Sequence, residues 1–335
     1  MSASLPWIDG ARVHAALGWP VLVDALREAF VAGAQVPLRH VHAIRPGEHA
    51  RLLLMPAWRE ASDTQRAALG VKLVTVYPAN RARGAATVGS LYILLDGVTG
   101  HPRALVDGEA ITLRRTGAAS ALASQYLSRE DSRVLAVIGP GRLAPYMVRA
   151  HRSVRPIDRV VVWGRDPARA GALAEALRAE GMDASAEPDI ARAVGQADIV
   201  TCATTSREPL VRAAHVRPGT HVDLVGGYAP DMREADDTLV AQAAMYVDTR
   251  SGALAEAGDL VQPMRAGMFS RDQVKADLHQ LCRGERRGRS SREAVTVFKS
   301  VGSALEDLCA AQVAWAAWAG GIGPAIPSQG SGGNS

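Results

Sequence analysis

Arg133–Arg165 reads RVLAVIGPGRLAPYMVRAHRSVRPIDRVVVWGR, and the fold class follows from it. An apolar run, Val134-Leu-Ala-Val-Ile138, meets a glycine turn, Gly139-Pro-Gly141. A short segment with helix potential follows, and then a second β-branched run, Val160-Val-Val-Trp163. Glycines let a backbone approach a pyrophosphate, and a helix N-terminus offers it free N–H groups. The pattern predicts a dinucleotide site with Gly139 and Gly141 at its turn. The third motif position is Ala144 rather than glycine, so the turn alone also fits a strand–helix connection with no ligand. The second β-branched run, at the right distance, favours the cofactor.

From Asp131 onward strands and helices alternate. Candidate strands are 133–138, 159–163, 183–186, 198–202, 220–225 and 244–248, with helices such as Pro167–Glu180 between them. That alternation implies a parallel, doubly wound sheet. The texture before it is different. Trp19–Val36 reads as an amphipathic helix, with Pro20 in its first turn and Leu22, Ala25, Leu26, Ala29 and Phe30 at helical spacing. Arg51–Met55, Gly70–Tyr77, Val88–Asp96 and Arg103–Val106 read as strands joined by short turns such as Asp96-Gly97 and Thr99-Gly100, a mainly antiparallel or mixed sheet. Gly108–Leu127 reads as a long helix. A last helix, about Gly302–Trp318, follows Val295–Lys299 and is too apolar to lie alone on a surface. It is expected to return to the first region. The expected organisation is α/β: a Rossmann-type domain over 131–292 inserted into a discontinuous α+β substrate and dimerisation domain, 1–130 plus 293–320. Residues 321–335, rich in Gly and Ser, read as a disordered tail.

The chain has 335 residues, 47% of them hydrophobic, enough for two cores. The net charge of +4 is mild, and the basic run Arg283–Arg292 has no interleaved aromatics, so a solvated loop is favoured over a nucleic-acid surface. Cys202, Cys282 and Cys309 are widely spaced without a CxxC pair, which points to a reducing cytoplasm and to no metal site. The first residues lack a signal-like pattern, and no apolar stretch reaches the roughly 20 residues a membrane span needs, so neither export nor a membrane is expected.

Four stretches carry a more specific signal: Leu69-Gly-Val-Lys72, Leu113-Arg-Arg115-Thr-Gly-Ala-Ala-Ser120, Gly226-Gly-Tyr-Ala-Pro-Asp-Met-Arg-Glu234 and Val297-Phe-Lys-Ser-Val-Gly-Ser-Ala-Leu-Glu-Asp307. In this order they resemble the ornithine cyclodeaminase/mu-crystallin family, over about Val36–Ala311. The resemblance implies a homodimeric NAD(P)-dependent protein acting on a small α-amino or α-imino acid. It implies that Arg39, Lys72 and Arg115 hold the substrate carboxylate, with Tyr228 and Asp231 also at the substrate. Chemistry agrees in part: a guanidinium fork suits a carboxylate, and a lysine interrupting an apolar strand needs a reason. Lys72 is expected to act as proton donor too, its ammonium disfavoured by two nearby arginines. Implied cofactor contacts are Thr87, Arg115, Gly139, Gly141, Arg142, Leu143, Gly164, Arg165, Thr204, Gly226 and Ser300.

Two departures from the family pattern bear on activity. Where NAD-preferring sites carry a carboxylate for the ribose 2′-hydroxyl, this chain has Gly164 followed by Arg165, which favours NADP(H) over NAD(H). Asp166 reads instead as the N-cap before Pro167. Where cyclodeaminases carry an aspartate after the paired glycines, this chain has Tyr228, a poor base, with Asp231 as the nearest replacement. Met232 and Leu53 likewise replace polar positions of cyclodeaminases. These substitutions resemble the reductase branch, and the expected reaction is reduction of a cyclic imino acid such as Δ1-pyrroline-2-carboxylate to L-proline. Ornithine cyclodeamination with Asp231 as base, and a non-catalytic NADPH-binding role, are the alternatives.

Overall fold

A computed structural model describes residues 5–45, 47, 49–61 and 67–320. The expected tail, 321–335, lies outside the described residues. Two sheets organise the rest. The first contains β1 (Trp7–Ile8), β2 (His40–Arg45), β3 (Ala50–Arg59), β4 (Ala68–Val76), β5 (Val88–Asp96) and β6 (Pro102–Asp107), in the order β1-β6-β5-β4-β3-β2. Pairing is antiparallel except for β1 on β6, a mixed sheet. The tight turn after β5 forms because the Asp96 carboxylate accepts from the amides of Val98 and Thr99, both at 2.8 Å, while Gly100 takes a positive φ of 74°.

Alternation sets the inner face of β4 as Ala68, Gly70 and Lys72. Gly70 is small because Tyr92 of β5 crosses it: a Cβ there would lie 2.2 Å from the phenol oxygen. Helices α1 (Gly10–Ala16) and α3 (Gly108–Leu127) lie against the sheet, and α2 (Trp19–Ala32) packs on α3. α2 stops four residues earlier than the periodicity predicts, at Gly33, whose φ of 77° no helix can continue. The apolar residues of α1 and the short β1 and β2 carried too little periodic signal to be anticipated.

The second sheet is parallel throughout: β7 (Val134–Ile138), β8 (Arg159–Trp163), β9 (Asp183–Ala186), β10 (Ile199–Cys202), β11 (His221–Leu224), β12 (Ala244–Val247), β13 (Val274–Asp277) and β14 (Thr296–Lys299). Its order is β13-β12-β14-β11-β10-β7-β8-β9. Helices α4 (Ala144–Val154), α5 (Pro167–Ala179), α6 (Ile190–Gly195), α7 (Asp237–Gln242), α8 (Arg250–Glu256), α9 (Gly258–Arg265) and α10 (Leu278–Cys282) fill its connections. Both faces are apolar: in β7, Ala136 and Ile138 enter one core while Leu135 and Val137 enter another. The strand order reverses direction between β7 and β10, which opens a crevice beyond their C-terminal ends.

α11 (Ala304–Ala319) then packs on α2, α3, β3 and β4. It begins at Ala304 because Ser303 caps the Leu305 amide, after Gly302 has turned the chain with a φ of 82°. One boundary needs correction. The sequence pattern places residues 293–299 in the first domain, yet β14 pairs with β11 and β12 inside the parallel sheet, so the chain leaves that sheet only at Ser300. The basic run is also more than a solvated loop: Arg289 is partly buried and donates to the carbonyls of Leu127 and Ala294.

Candidate active site

A cavity of about 350 Å3 lies where the two sheets meet. β3, β4 and β5 contribute Leu53, Met55, Val74, Val76 and Val88 to an apolar wall. α3 contributes Thr112, Leu113 and Arg115. The loops after β10, β11 and β14 contribute Ala203, Thr204, Gly226, Tyr228 and Ser300. The cavity thus reaches the crevice beyond the parallel strands and the inner face of β4.

Its charged end gathers Arg39, Lys72 and Arg115 from three separate segments. Lys72 is 2% exposed and Arg115 is 7% exposed. Lys72 Nζ stands 2.7 Å from Asp307 Oδ2 and 3.4 Å from Thr112 Oγ1. Arg115 donates from Nε to Asp307 Oδ1 at 3.1 Å and from Nη1 to Glu306 Oε2 at 2.8 Å. Arg39 donates to the carbonyls of Val301 and Gly302 and pairs with Glu256 at 3.0 Å. Gly302 must be glycine here, since a Cβ would lie 2.5 Å from Arg115 Nη1.

The cations therefore already have internal anions. From the sequence alone Glu306 and Asp307, at the start of α11, read as an acidic pair that complements the helix dipole. Burial is the main cause that lowers Lys72, to about 8, with Asp307 opposing and Arg115 and Arg39 adding to it. The arginines act as expected, but second to desolvation. Burial raises Asp307, yet Lys72 and Arg115 together outweigh it and leave that carboxyl below its usual value. Glu306 is pushed up to about 7 by burial, because Arg115 offsets only part of the cost.

The other end suits a dinucleotide. Gly139 has a φ of 100°, and a side chain there would come within 2.6 Å of Thr204. At Gly141 a Cβ would meet only the Ala203 carbonyl at 4.0 Å, so the bare backbone leaves space rather than relieving a clash. α4 begins three residues later and directs its N-terminus at this turn. The residues present fit a nicotinamide dinucleotide laid across the turn. Gly164 has a packing reason of its own: a Cβ would lie 2.6 Å from Pro140. Arg165 is exposed beside it, and Asp166 caps α5 through the amides of Ala168 and Arg169. Arg169, which the sequence reading passed over, donates to the Pro140 carbonyl at 3.3 Å and adds a second cation near the turn.

Glu234 ties the loops under this end together. It is fully buried and accepts from the Thr204 amide at 2.6 Å, the Thr204 hydroxyl at 2.8 Å and the Gly226 amide at 2.7 Å. A Cβ at Gly226 would lie 1.9 Å from the Thr204 carbonyl, which explains the first glycine of the pair. Behind it Lys299 pairs with Asp259 at 3.0 Å. Ser300 and Leu143 line the cavity, while Thr87 and Arg142 line an adjoining recess that shares Val88 and Glu109 with it, and there Arg142 pairs with Glu109 at 2.5 Å.

Tyr228 lines the cavity and is 44% exposed. Asp231 does not line it. The loop turns after Tyr228, and Asp231 ends at the surface, 62% exposed at its side chain and 3.0 Å from Arg207. Its expected place at the substrate is corrected accordingly: the two intervening residues, Ala229 and Pro230, carry the carboxylate out to solvent. Met232 is buried in the same turn. Among the described residues no helix is long and apolar enough to cross a membrane.

The model of the ornithine cyclodeaminase/mu-crystallin family matches residues 12–321. The chain is 41% identical over 293 residues to the Δ1-pyrroline-2-carboxylate reductase of Paracoccus denitrificans, covering 87% of this chain and 90% of that one. The structure of the Thermococcus litoralis Δ1-pyrroline-2-carboxylate reductase with NADH and L-proline superposes with a TM-score of 0.89 at 33% identity, covering 96% and 100% of the two chains. The iminosuccinate reductase of Paracoccus denitrificans with NAD+ superposes with a TM-score of 0.84 at 27% identity, covering 95% and 98%.

Proposed function

The chain belongs to the ornithine cyclodeaminase/mu-crystallin family, and from that premise we propose that it is a nicotinamide-dependent reductase of a small cyclic imino acid, with Δ1-pyrroline-2-carboxylate giving L-proline. The observation that carries this reading is one cavity with a cationic end at Lys72 and Arg115, an apolar wall, and Leu143 with the loops after β10, β11 and β14 on its other side. The cationic end takes the carboxylate of the substrate. The apolar wall of Leu53, Met55, Val74 and Val76 suits ring methylenes and offers no cation to a second carboxylate. That favours a cyclic imine over a dicarboxylic imine such as iminosuccinate.

A bound nicotinamide supplies the hydride. The chain's own residues do the positioning: Arg39, Lys72 and Arg115 fix the carboxylate, and the apolar wall excludes water and orients the ring. Lys72, at about 8, is partly neutral and partly protonated near neutral pH, so Nζ can hold or give a proton beside the imine nitrogen. Tyr228 asks nothing of a base, because an iminium accepts hydride without one. With Asp231 outside the cavity and Tyr228 on its wall, the described residues of the loop after β11 bring no carboxylate into it.

NADPH is the favoured cofactor, supported by Gly164 in place of a carboxylate and by Arg165 and Arg169 beside the turn. The two solved relatives hold NADH and NAD+, so cofactor choice is where this chain is expected to differ from them. A second copy of the chain is the expected partner, supported by β2, an edge strand exposed along its whole length with Val41 and Ile44 outward. Light scattering should report a dimer or a multiple of one, and a monomer at micromolar concentration counts against it. The activity is tested by following NADPH and NADH oxidation with Δ1-pyrroline-2-carboxylate, its six-membered homologue and iminosuccinate. Oxidation is expected with the cyclic imines. Ammonia release from ornithine without cofactor oxidation would replace this reading with a cyclodeaminase, and neither reaction would leave a binding protein.

A further inference from the structure

Glu306 is an unusual neighbour for a carboxylate-binding arginine. Its side chain is fully buried in the first turn of α11. Oε2 accepts from Arg115 Nη1 at 2.8 Å, whereas Oε1 is buried and has no hydrogen-bond partner among the described residues. The charged and titratable groups that face it are Arg115 from α3, Asp248 beyond the end of β12, Asp307 from its own helix and the Cys309 thiol one turn further on. Only one of these is a cation, and Arg115 is shared with Asp307. Asp248 is itself buried and satisfied by the amides of Thr249, Val301 and Gly302. A substrate carboxylate arriving at Arg115 would add one more negative charge to a pocket that already holds a carboxylate on the same guanidinium. Desolvated like charges this close cannot all stay ionised, and the group with the fewest hydrogen bonds yields first.

We propose that Glu306 frees Arg115 for the substrate carboxylate by taking up one proton from solvent, so that Glu306 is a positioning residue, acting through Arg115, whose protonation is coupled to anion binding. The inference rests on the carboxylate-site reading above. It adds a proton to the binding step and no other change: the Glu306 carboxylate becomes a carboxylic acid, the substrate stays an anion, and the number of charges in the pocket is conserved. The elevation of Glu306 to about 7 in the free protein means that little work is needed to protonate it near neutrality. By linkage the affinity for a carboxylate should be flat below that value and fall above it, by at most about tenfold per pH unit.

The test uses the full-length protein saturated with NADPH and the unreactive planar anion pyrrole-2-carboxylate as probe. Calorimetric titration at pH 7.5 in buffers of different ionisation enthalpy counts protons directly. Uptake approaching one proton per site is expected, and the dissociation constant should rise several-fold from pH 7 to pH 8. Glu306→Gln should cut the uptake to the small share that Lys72 contributes at this pH and keep tight binding to a higher pH, leaving only a weaker decline as Lys72 loses its proton above about 8. Binding without proton uptake in the parent protein overturns the proposal and leaves the carboxylate site standing. The same holds if Glu306→Gln keeps the parent's pH dependence. Absence of binding at every pH overturns both the carboxylate-site reading and the proposal that rests on it.

Discussion

Two buried ionic clusters in this molecule are each built round a strand lysine, and they behave oppositely. Lys72 on β4 faces Asp307 but also two arginines, and burial carries it down to about 8. Lys299 at the end of β14 is buried as completely, yet Asp259 and Glu234 outweigh desolvation and hold it above its ordinary value. The first cluster lines the cavity; of the second, only the loops that Glu234 ties reach it. Burial alone therefore does not mark a functional lysine. What marks it is that burial and two neighbouring cations, Arg115 and Arg39, act against its charge at a wall that a ligand can reach.

The strongest test of that contrast is Arg115→Ala. It leaves Glu306 and Asp307 buried with fewer partners, and removing one member of a buried ion cluster costs about 3–5 kcal/mol of stability. Whatever folds should lose a further ~2–4 kcal/mol of substrate binding. Thermal unfolding read beside KM checks both; an unchanged KM would remove Arg115 from the site.

Lys299→Met is the matching change in the second cluster. Asp259 loses its ion pair, so stability should fall by about 3 kcal/mol, while the affinity of folded protein for pyrrole-2-carboxylate stays within about twofold. A large loss of that affinity would erase the distinction between the clusters.

Lys72→Met should cost less stability and more turnover. Because the folded lysine sits at about 8 rather than 10.5, its ammonium is destabilising in the native state below 8, and that cost fades as pH rises from 8 to 10.5. Parent stability should therefore gain on the order of 2 kcal/mol across that window from this group, and the variant should lack the gain. The carboxylates run the other way: Glu306 and Glu234, both raised to about 7, bind protons more tightly when folded, so their contribution is full below 4.5 and is lost as pH rises to 7. Urea unfolding across pH 5–10 separates these slopes.

Arg165→Ala carries a smaller effect, since the side chain is exposed. NADPH binding should weaken by roughly 1 kcal/mol, or several-fold, and NADH binding hardly at all. Fluorescence titration of both cofactors decides it, and equal losses would return the preference to NAD(H). Arg169→Ala tests whether the second cation near Pro140 shares the phosphate.

The sequence carried the parallel sheet because β-branched runs such as 134–138 and 160–163 are buried on both faces and stand out without context. It also marked Lys72, since a charge inside an apolar strand has few bland explanations. Glu306, Asp307 and Glu234 were harder. Each has a good local reading, as a first-turn acid or a loop polar residue, and their function is set by partners 191, 192 and 30 residues away. The boundary near residue 293 failed for a similar reason: Thr296–Lys299 is a strand by composition, but only its pairing with β11 and β12 says which sheet owns it. Asp231 was misplaced because a three-residue offset in an irregular loop cannot be converted into a direction.

Tyr228 sharpens the comparison at the smallest scale, for it sits on the cavity wall without belonging to either cluster. It is 44% exposed, so Tyr228→Phe removes one solvated hydroxyl, and stability should change by less than about 0.5 kcal/mol. Imine reduction should persist within a few-fold, because hydride acceptance by an iminium needs no base at this position. Tyr228→Asp is the informative partner. An aspartate here would stand in the cavity that Asp231 does not reach, facing the ring side of the substrate rather than the carboxylate end held by Lys72 and Arg115. It supplies the missing base without touching either cluster, so weak ammonia release from ornithine should appear while NADPH oxidation with the cyclic imine is largely kept. Parallel steady-state assays of both reactions read the outcome. If imine reduction collapses in Tyr228→Phe, the tyrosine hydroxyl takes part in the proton transfer here given to Lys72, and the division between a working cation cluster and a passive wall has to be redrawn.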